Sequence, residues 1–146
     1  MRNRAISRAV AVFLFSIAAA SSFANTILEA ALEDLKVKGS EAFLTTITRG
    51  SALEGDKTVL TQSVMLTSVG TYYGRIESWH ILASCPITDR VKTTFFVVDY
   101  EKGPLFGYAV MYTTATGADV TTKFFFHTDV DKVFPNGVGS KRFCDG

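Results

Sequence analysis

The spacing of apolar residues changes once along this chain, near Tyr72, and that change constrains the fold more than any other feature. Before it, apolar side chains recur every three or four residues, which is typical of amphipathic helices. After it they alternate or run on through four segments, 73–83, 91–100, 105–114 and 120–127, separated by turn residues. Helices followed by consecutive strands predict an α+β domain with N-terminal helices packed on an antiparallel sheet.

Three helical segments are predicted in the first part. The first ends at Gly39, and the second, with Ser40 as its N-cap, ends at Gly50; the two could instead form one kinked helix. Asp56 is the predicted N-cap of the third helix, which stops near Gly70. The apolar positions are Ile27, Leu28, Ala31, Leu32 and Leu35 in the first helix, Phe43, Leu44 and Ile47 in the second, and Val59, Leu60, Val64 and Met65 in the third.

The two middle strands are apolar on both faces. In segment 91–100, Phe96 and Val98 lie on one face, whereas Phe95 and Val97 lie on the other. A sheet with one wet side would alternate apolar with polar residues instead. We therefore expect one face to pack on the helices and the other to pack on a second subunit or a ligand.

Residues 1–24 have the pattern of a secretory signal peptide. Three arginines precede an apolar run of 12 residues, and small residues occupy the two positions that a signal peptidase reads before a cut after Ala24. A run of that length is short of the roughly 20 residues that span a bilayer as a helix. The sequence thus predicts export to the periplasm or the medium, with no membrane anchor once the signal is removed.

Length and charge limit what the exported part can be. Removing 24 of 146 residues leaves 122, the size of one domain, which we place at 25–134 with a C-terminal tail at 135–146. The signal takes three of the 15 basic residues, so 12 remain against 14 acidic ones and the net charge becomes −2. The basic residues are also scattered, and we therefore expect no nucleic-acid partner.

Two cysteines, Cys85 and Cys144, lie in the exported part. An even count without metal-like spacing predicts one disulfide in an oxidising compartment, which would pin the tail to the domain. Two free thiols, or pairing with a partner chain, are the alternatives. Two histidines and two paired cysteines leave no set of zinc ligands, so we expect no metal. The sequence contains neither a Walker loop nor a dinucleotide fingerprint, and we expect no cofactor.

A scattered pattern of glycine and apolar positions resembles small exported bacterial proteins of the superfamily of nuclear transport factor two, ketosteroid isomerase and scytalone dehydratase. The resemblance implies a cystatin-like cone: helices cover the concave face of a strongly curved sheet, a cavity opens at the wide end, and relatives often form homodimers through the outer sheet face. It implies no catalytic residues. Its motifs are Gly50-Ser51-Ala52-Leu53, Leu60-x-Gln62, Tyr73-Gly74, Tyr100-x-x-x-Pro104-Leu105-Phe106-x-Tyr108-x-x-x-Tyr112 and Phe126-x-Thr128-Asp129-x-x-x-x-Phe134.

A pocket walled by aromatic rings with a few polar groups suits a small apolar ligand, although such rings more often fill a core. We expect a non-enzymatic domain that binds a small molecule or a protein. The alternative is an isomerase or dehydratase with His80 or Asp99 as an acid-base group, His80 being expected on the strand face of Ile76. The candidate ligand-binding residues are Gln62, Tyr73, Trp79, His80, Tyr100 and Tyr112.

Overall fold

Three helices precede a four-stranded sheet and a short fourth helix, as a computed structural model of residues 26–134 and Cys144 describes. The predicted α+β order of helices before an antiparallel sheet is confirmed. The signal peptide at 1–24 and the rest of the tail lie outside the described residues and stay predictions. The elements are α1 (Thr26–Lys38), α2 (Ser40–Thr48), α3 (Lys57–Tyr73), β1 (Ile76–Pro86), β2 (Val91–Tyr100), β3 (Gly103–Thr113), β4 (Asp119–His127) and α4 (Val130–Val133).

The helix boundaries follow local chemistry, with two corrections. Asp56 caps α3 as predicted, because its Oδ1 accepts a hydrogen bond of 2.8 Å from the Thr58 amide. Ser40 is not the cap of α2: Gly39 takes that position, with φ 95°, and makes no side-chain cap bond. The prediction that α3 stops near Gly70 is also wrong, since the helix runs to Tyr73 and ends at Gly74, whose φ is 87°.

The strands form a meander in which each strand pairs antiparallel with the next, in the order β1-β2-β3-β4. Because α3 extends to Tyr73, the strand predicted from that residue begins at Ile76 instead. Directly opposed residues such as Val98 and Leu105 share a face, and both are buried against the helices. The other strand residues buried in this core are Phe96, Tyr100, Ala109, Met111 and Phe126.

The helices differ in how closely they approach the sheet. The backbone of α1 lies next to β1 and that of α2 next to β4, whereas α3 lies chiefly against α2. Of the four apolar residues that spacing places on α3, only Val59 is buried, while Leu60, Val64 and Met65 are exposed. Leu66 is the other buried residue of α3. The third helix therefore presents large apolar side chains to solvent as well as to the core.

The chain itself covers part of the outer sheet face. After β4 it turns back through α4, where Val133 and Phe134 are both buried. The Phe134 ring lies 5.3 Å from that of Phe95 and 5.8 Å from that of Phe106, both on the face away from the helices. This packing gives the second apolar face a partner that sequence reasoning did not consider.

The predicted disulfide between Cys85 and Cys144 is confirmed. Cys85 is opposed to Thr93 on β2 and is buried, so the bond attaches the end of the chain to the far end of β1. The two cysteines are 59 residues apart, so the bond closes a long loop. Such a loop restricts the unfolded chain far more than it restricts the folded one.

Replacing both cysteines, Cys85→Ser with Cys144→Ser, lowers the free energy of unfolding by about 4 kcal/mol in the chain-entropy account of a loop this long. Urea denaturation of the double variant and of reduced wild-type protein measures the effect. Equal stability of oxidised wild type and double variant would contradict this role for the bond.

A second prediction concerns Gly107 in β3. A Cβ at that position would lie 2.3 Å from the Phe96 ring and 2.9 Å from the carbonyl oxygen of Phe125, so Gly107→Ala overpacks the sheet and costs about 1–3 kcal/mol of stability. Gly70 in α3 is the matched control, because its Cβ would meet nothing within 4 Å. Gly70→Ala raises stability by up to about 1 kcal/mol. Thermal unfolding of both variants measures the contrast, and a stable Gly107→Ala protein would refute it.

Candidate functional site

The six candidate ligand-binding residues are divided between the two faces of the sheet. Gln62 is half-buried on α3 beside a small cleft that Lys123 and Phe124 also line. Trp79 faces the helices, and its Nε1 donates a hydrogen bond of 3.1 Å to Glu33 on α1. Tyr73 and Tyr100 also lie on the helix side, with their rings 6.2 Å apart in an edge-to-face arrangement.

His80 and Tyr112 lie on the outer face, so one cavity cannot be lined by all six residues. The expected position of His80 beside Ile76 is wrong, because the register of β1 shifts between Ile76 and Ser78. An irregularity of one residue reverses the faces that follow it. On the same outer face, the Arg90 guanidinium lies 4.8 Å from the centre of the Tyr112 ring.

His80 belongs to an exposed polar cluster with Ser78 and Asp99. Its Nε2 lies 3.3 Å from the Ser78 hydroxyl and 3.3 Å from an Asp99 carboxylate oxygen. Ser78 itself donates a hydrogen bond of 2.8 Å to Asp99. In a nucleophile–base–acid relay, the acid and the nucleophile would occupy opposite ring nitrogens of the histidine, whereas here both meet the same nitrogen.

Solvent reaches this cluster freely. The side chains of His80 and Asp99 are 61% and 40% exposed. Within the described residues, no tyrosine hydroxyl bonds either of them. Acid-base catalysis on an apolar substrate relies on a site that excludes water, and the cluster lacks such a site.

A groove on the helix side of the sheet is lined by Tyr100, a buried residue with a polar hydroxyl group. It has a volume of about 480 Å³ and lies where the end of α1, the start of α2, the end of α3 and the start of β1 meet. We call it the junction groove. Its lining includes Leu35, Ser40, Leu66, Thr67, Ile76 and Tyr100.

Tyr100 is the unusual member of this lining. The residue is only 6% exposed, yet its hydroxyl forms no hydrogen bond with any described residue. Buried polar groups normally have a partner, so a hydroxyl that has none among the described residues is a candidate for bonding a ligand. Burial raises the pKa of Tyr100 to about 12, so the hydroxyl, protonated at neutral pH like that of any tyrosine, stays protonated well into the alkaline range.

Polar contacts fix the other walls of the junction groove. The hydroxyl of Ser40 lies 2.7 Å from that of Thr67 and thereby joins α2 to α3. At the rim, Arg75 pairs with Glu101 at 2.7 Å, and its hydrogen bonds hold the pKa of that carboxyl below the usual range. Ser40 and Thr67 were missed in the sequence because they are 27 residues apart, and no local pattern marks the contact.

Comparisons with known proteins add no identification, since no protein-family model, curated protein or solved structure matches this chain. Among residues 26–134 and Cys144, no three or more His, Cys, Asp or Glu side chains gather where a metal ion could bind. In the same part of the chain, every helix is too short or too polar to cross a bilayer.

The titration of Tyr100 gives a direct test of its burial. Its pKa is 10.0 in ordinary surroundings and about 12 in the fold, so between these values the unfolded chain loses a proton that the folded chain keeps. The free energy of unfolding therefore falls as pH rises through this window. In the Tyr100→Phe variant, this part of the decrease in the free energy of unfolding is absent, and so is the last step in tyrosinate absorbance. Tyr72→Phe, which removes an exposed hydroxyl, is the control. Equal alkaline profiles of wild type and Tyr100→Phe would disprove the burial effect.

Proposed function

We propose that this protein is an exported, non-enzymatic domain that binds a small apolar molecule in the junction groove. The ligand carries a hydrogen-bond acceptor that faces the Tyr100 hydroxyl. The observation that carries the proposal is this buried donor, which has no partner among the described residues. It belongs to a residue that lines a groove together with apolar side chains such as Leu35 and Leu66 and the charged Lys36 and Arg75. Small-molecule sites usually combine apolar walls with a few polar groups that fix the orientation of the ligand.

The isomerase or dehydratase alternative has weaker support. Its two candidate bases, His80 and Asp99, are exposed on the face of the sheet opposite the junction groove. Burial raises the pKa of Tyr100 further above neutral pH, so its hydroxyl is suited to donating a hydrogen bond and not to removing a proton. These features favour binding over catalysis.

The resemblance to the superfamily of nuclear transport factor two stays part of the proposal. The order of three helices followed by a meander supports it. We infer a bent, cone-like sheet, with the junction groove as the entrance to its helix side. The predicted homodimer through the outer sheet face has less support than the apolar pattern alone indicates, because α4 and Phe134 occupy part of that face.

We also propose that the protein is exported from the cytoplasm. A disulfide that joins two distant parts of the chain is typical of an oxidising compartment, such as the periplasm or the medium. The predicted signal peptide at 1–24 agrees with it. The proposed ligand is accordingly one that a protein outside the cytoplasm would meet.

A matched pair of probes tests the groove. Acetophenone carries a carbonyl acceptor, whereas ethylbenzene has nearly the same shape without one. Tyr100→Phe should weaken acetophenone binding about two- to tenfold, the effect of one lost hydrogen bond, and leave ethylbenzene binding unchanged. NMR titrations that follow the Ser40 and Thr67 amides measure both affinities, and Tyr72→Phe is the control with an exposed hydroxyl removed.

Two results would count against the proposal. In the first, neither probe shifts the amides of Ser40 and Thr67, so that the groove does not take up apolar molecules. In the second, Tyr100→Phe affects the two probes equally, so that the hydroxyl plays no part in recognition.

A further inference from the structure

A second groove, between α2 and α3, has a different chemistry. Its volume is about 530 Å³, and we call it the α2–α3 groove. Its floor and outer wall are apolar, and its polar rim comes from the loop that joins the two helices and from α2. The lining residues that matter here are Glu41, Leu44, Glu54, Asp56, Leu60 and Val64.

Every charged side chain that lines this groove is a carboxylate. Glu54 accepts a hydrogen bond of 2.8 Å from the Gly50 amide, which fixes it at the loop. Hydrogen bonds from Thr58 hold the pKa of Asp56 below its usual range, so this group stays ionised. Glu41, from the first turn of α2, adds a third negative charge. The rim therefore favours a positively charged partner.

The outer surface of α3 continues the apolar wall. From Thr58 to Tyr73 the helix contains no charged side chain. Leu60, Val64, Met65 and Tyr72 are 65%, 66%, 47% and 75% exposed. They share the solvent side of α3 with the exposed hydroxyl residues Thr61, Ser68 and Thr71. A surface helix normally presents charged residues to water, so four large exposed apolar side chains with no charge among them are typical of a binding surface.

Val64 connects two clefts across this surface. It lines the α2–α3 groove on one side of the helix. On the other side, Val64 and Met65 line a cleft of about 250 Å³ together with Leu105 and Phe126 from the sheet. A segment that binds along α3 can therefore insert side chains into the clefts on both sides of Val64, as amphipathic helices do in hydrophobic grooves.

We propose that α3 and the α2–α3 groove dock an amphipathic, basic helical segment of a partner protein. Its apolar side chains cover Leu60 and Val64, and its lysines or arginines face Glu41, Glu54 and Asp56. A second copy of this chain fits less well, because the mature protein has a predicted net charge of −2 and offers no basic surplus. This surface is separate from the junction groove, so either proposal can fail without the other.

Synthetic peptides about five helical turns long test the docking. One has leucines at positions i, i+3, i+4 and i+7 of each repeat with lysines elsewhere, and the matched peptide has glutamates in place of the lysines. The lysine peptide should bind at least about tenfold more tightly, with an advantage that shrinks as salt rises. Leu60→Ser with Val64→Ser should weaken its binding about tenfold or more, given the apolar surface lost.

Fluorescence anisotropy measures these affinities, and circular dichroism checks that the double variant is folded. Ile87→Ser is the matched control, because Ile87 is 63% exposed but lies beyond β1, away from α3. Tyr100→Phe should also leave peptide binding unchanged, which separates this result from that for the junction groove.

Three outcomes would overturn the proposal. Equal affinity for the two peptides would remove the role of the acidic rim. Unchanged binding to the double variant would place the contact elsewhere. A wild-type dimer in sedimentation that the same double variant dissociates would assign the surface to a second copy of this chain.

Discussion

The fold depends on burying the inner face of the central β2–β3 pair and covering part of its outer face. Burial of apolar area is the main stabilising term for a domain of this size, and these two strands supply apolar side chains in both directions. On the inner face Phe96 lies over Gly107, where the absence of a Cβ lets the ring approach the neighbouring strand. On the outer face Phe134 returns from the end of the sheet to contact Phe95 and Phe106. The order helices, meander, short helix thus provides a cover for each face.

Local patterns predicted the elements well and the faces of β1 poorly. Apolar spacing and glycine positions are properties of neighbouring residues, so the bounds of β2 and the cap at Asp56 could be read from them. The register shift between Ile76 and Ser78 has no such local signal, and it places His80 opposite the face that simple alternation gives it. Alternation therefore predicts His80 as an acid-base group in a cavity, whereas in the fold His80 lies on a solvent-exposed surface. The cover provided by Phe134 was equally hidden, because its contacts join distant parts of the chain.

One residue of the candidate site, Tyr100, could be predicted from the sequence, but the residues that surround it could not. Tyr100 could be singled out as an aromatic residue with a polar atom that needs a partner. Its hydroxyl becomes informative only in the fold, where no described residue satisfies it. The walls of the groove come from α1, α2 and α3, and the contact between Ser40 and Thr67 spans 27 residues. The sequence can thus identify a candidate polar group, whereas the groove around that group results from helix packing.

The packing of α3 accounts for both grooves. Where α2 meets α3, the contact includes hydroxyl groups, with Ser40 lying 3.2 Å from Ser63 and 2.7 Å from Thr67. Two helices joined through short polar side chains do not interlock along their whole length as apolar ridges do. The backbone of α3 also stays farther from the sheet than those of α1 and α2. Space therefore remains at both ends of the α2–α3 contact, lined by Tyr100 at one end and by Asp56 at the other.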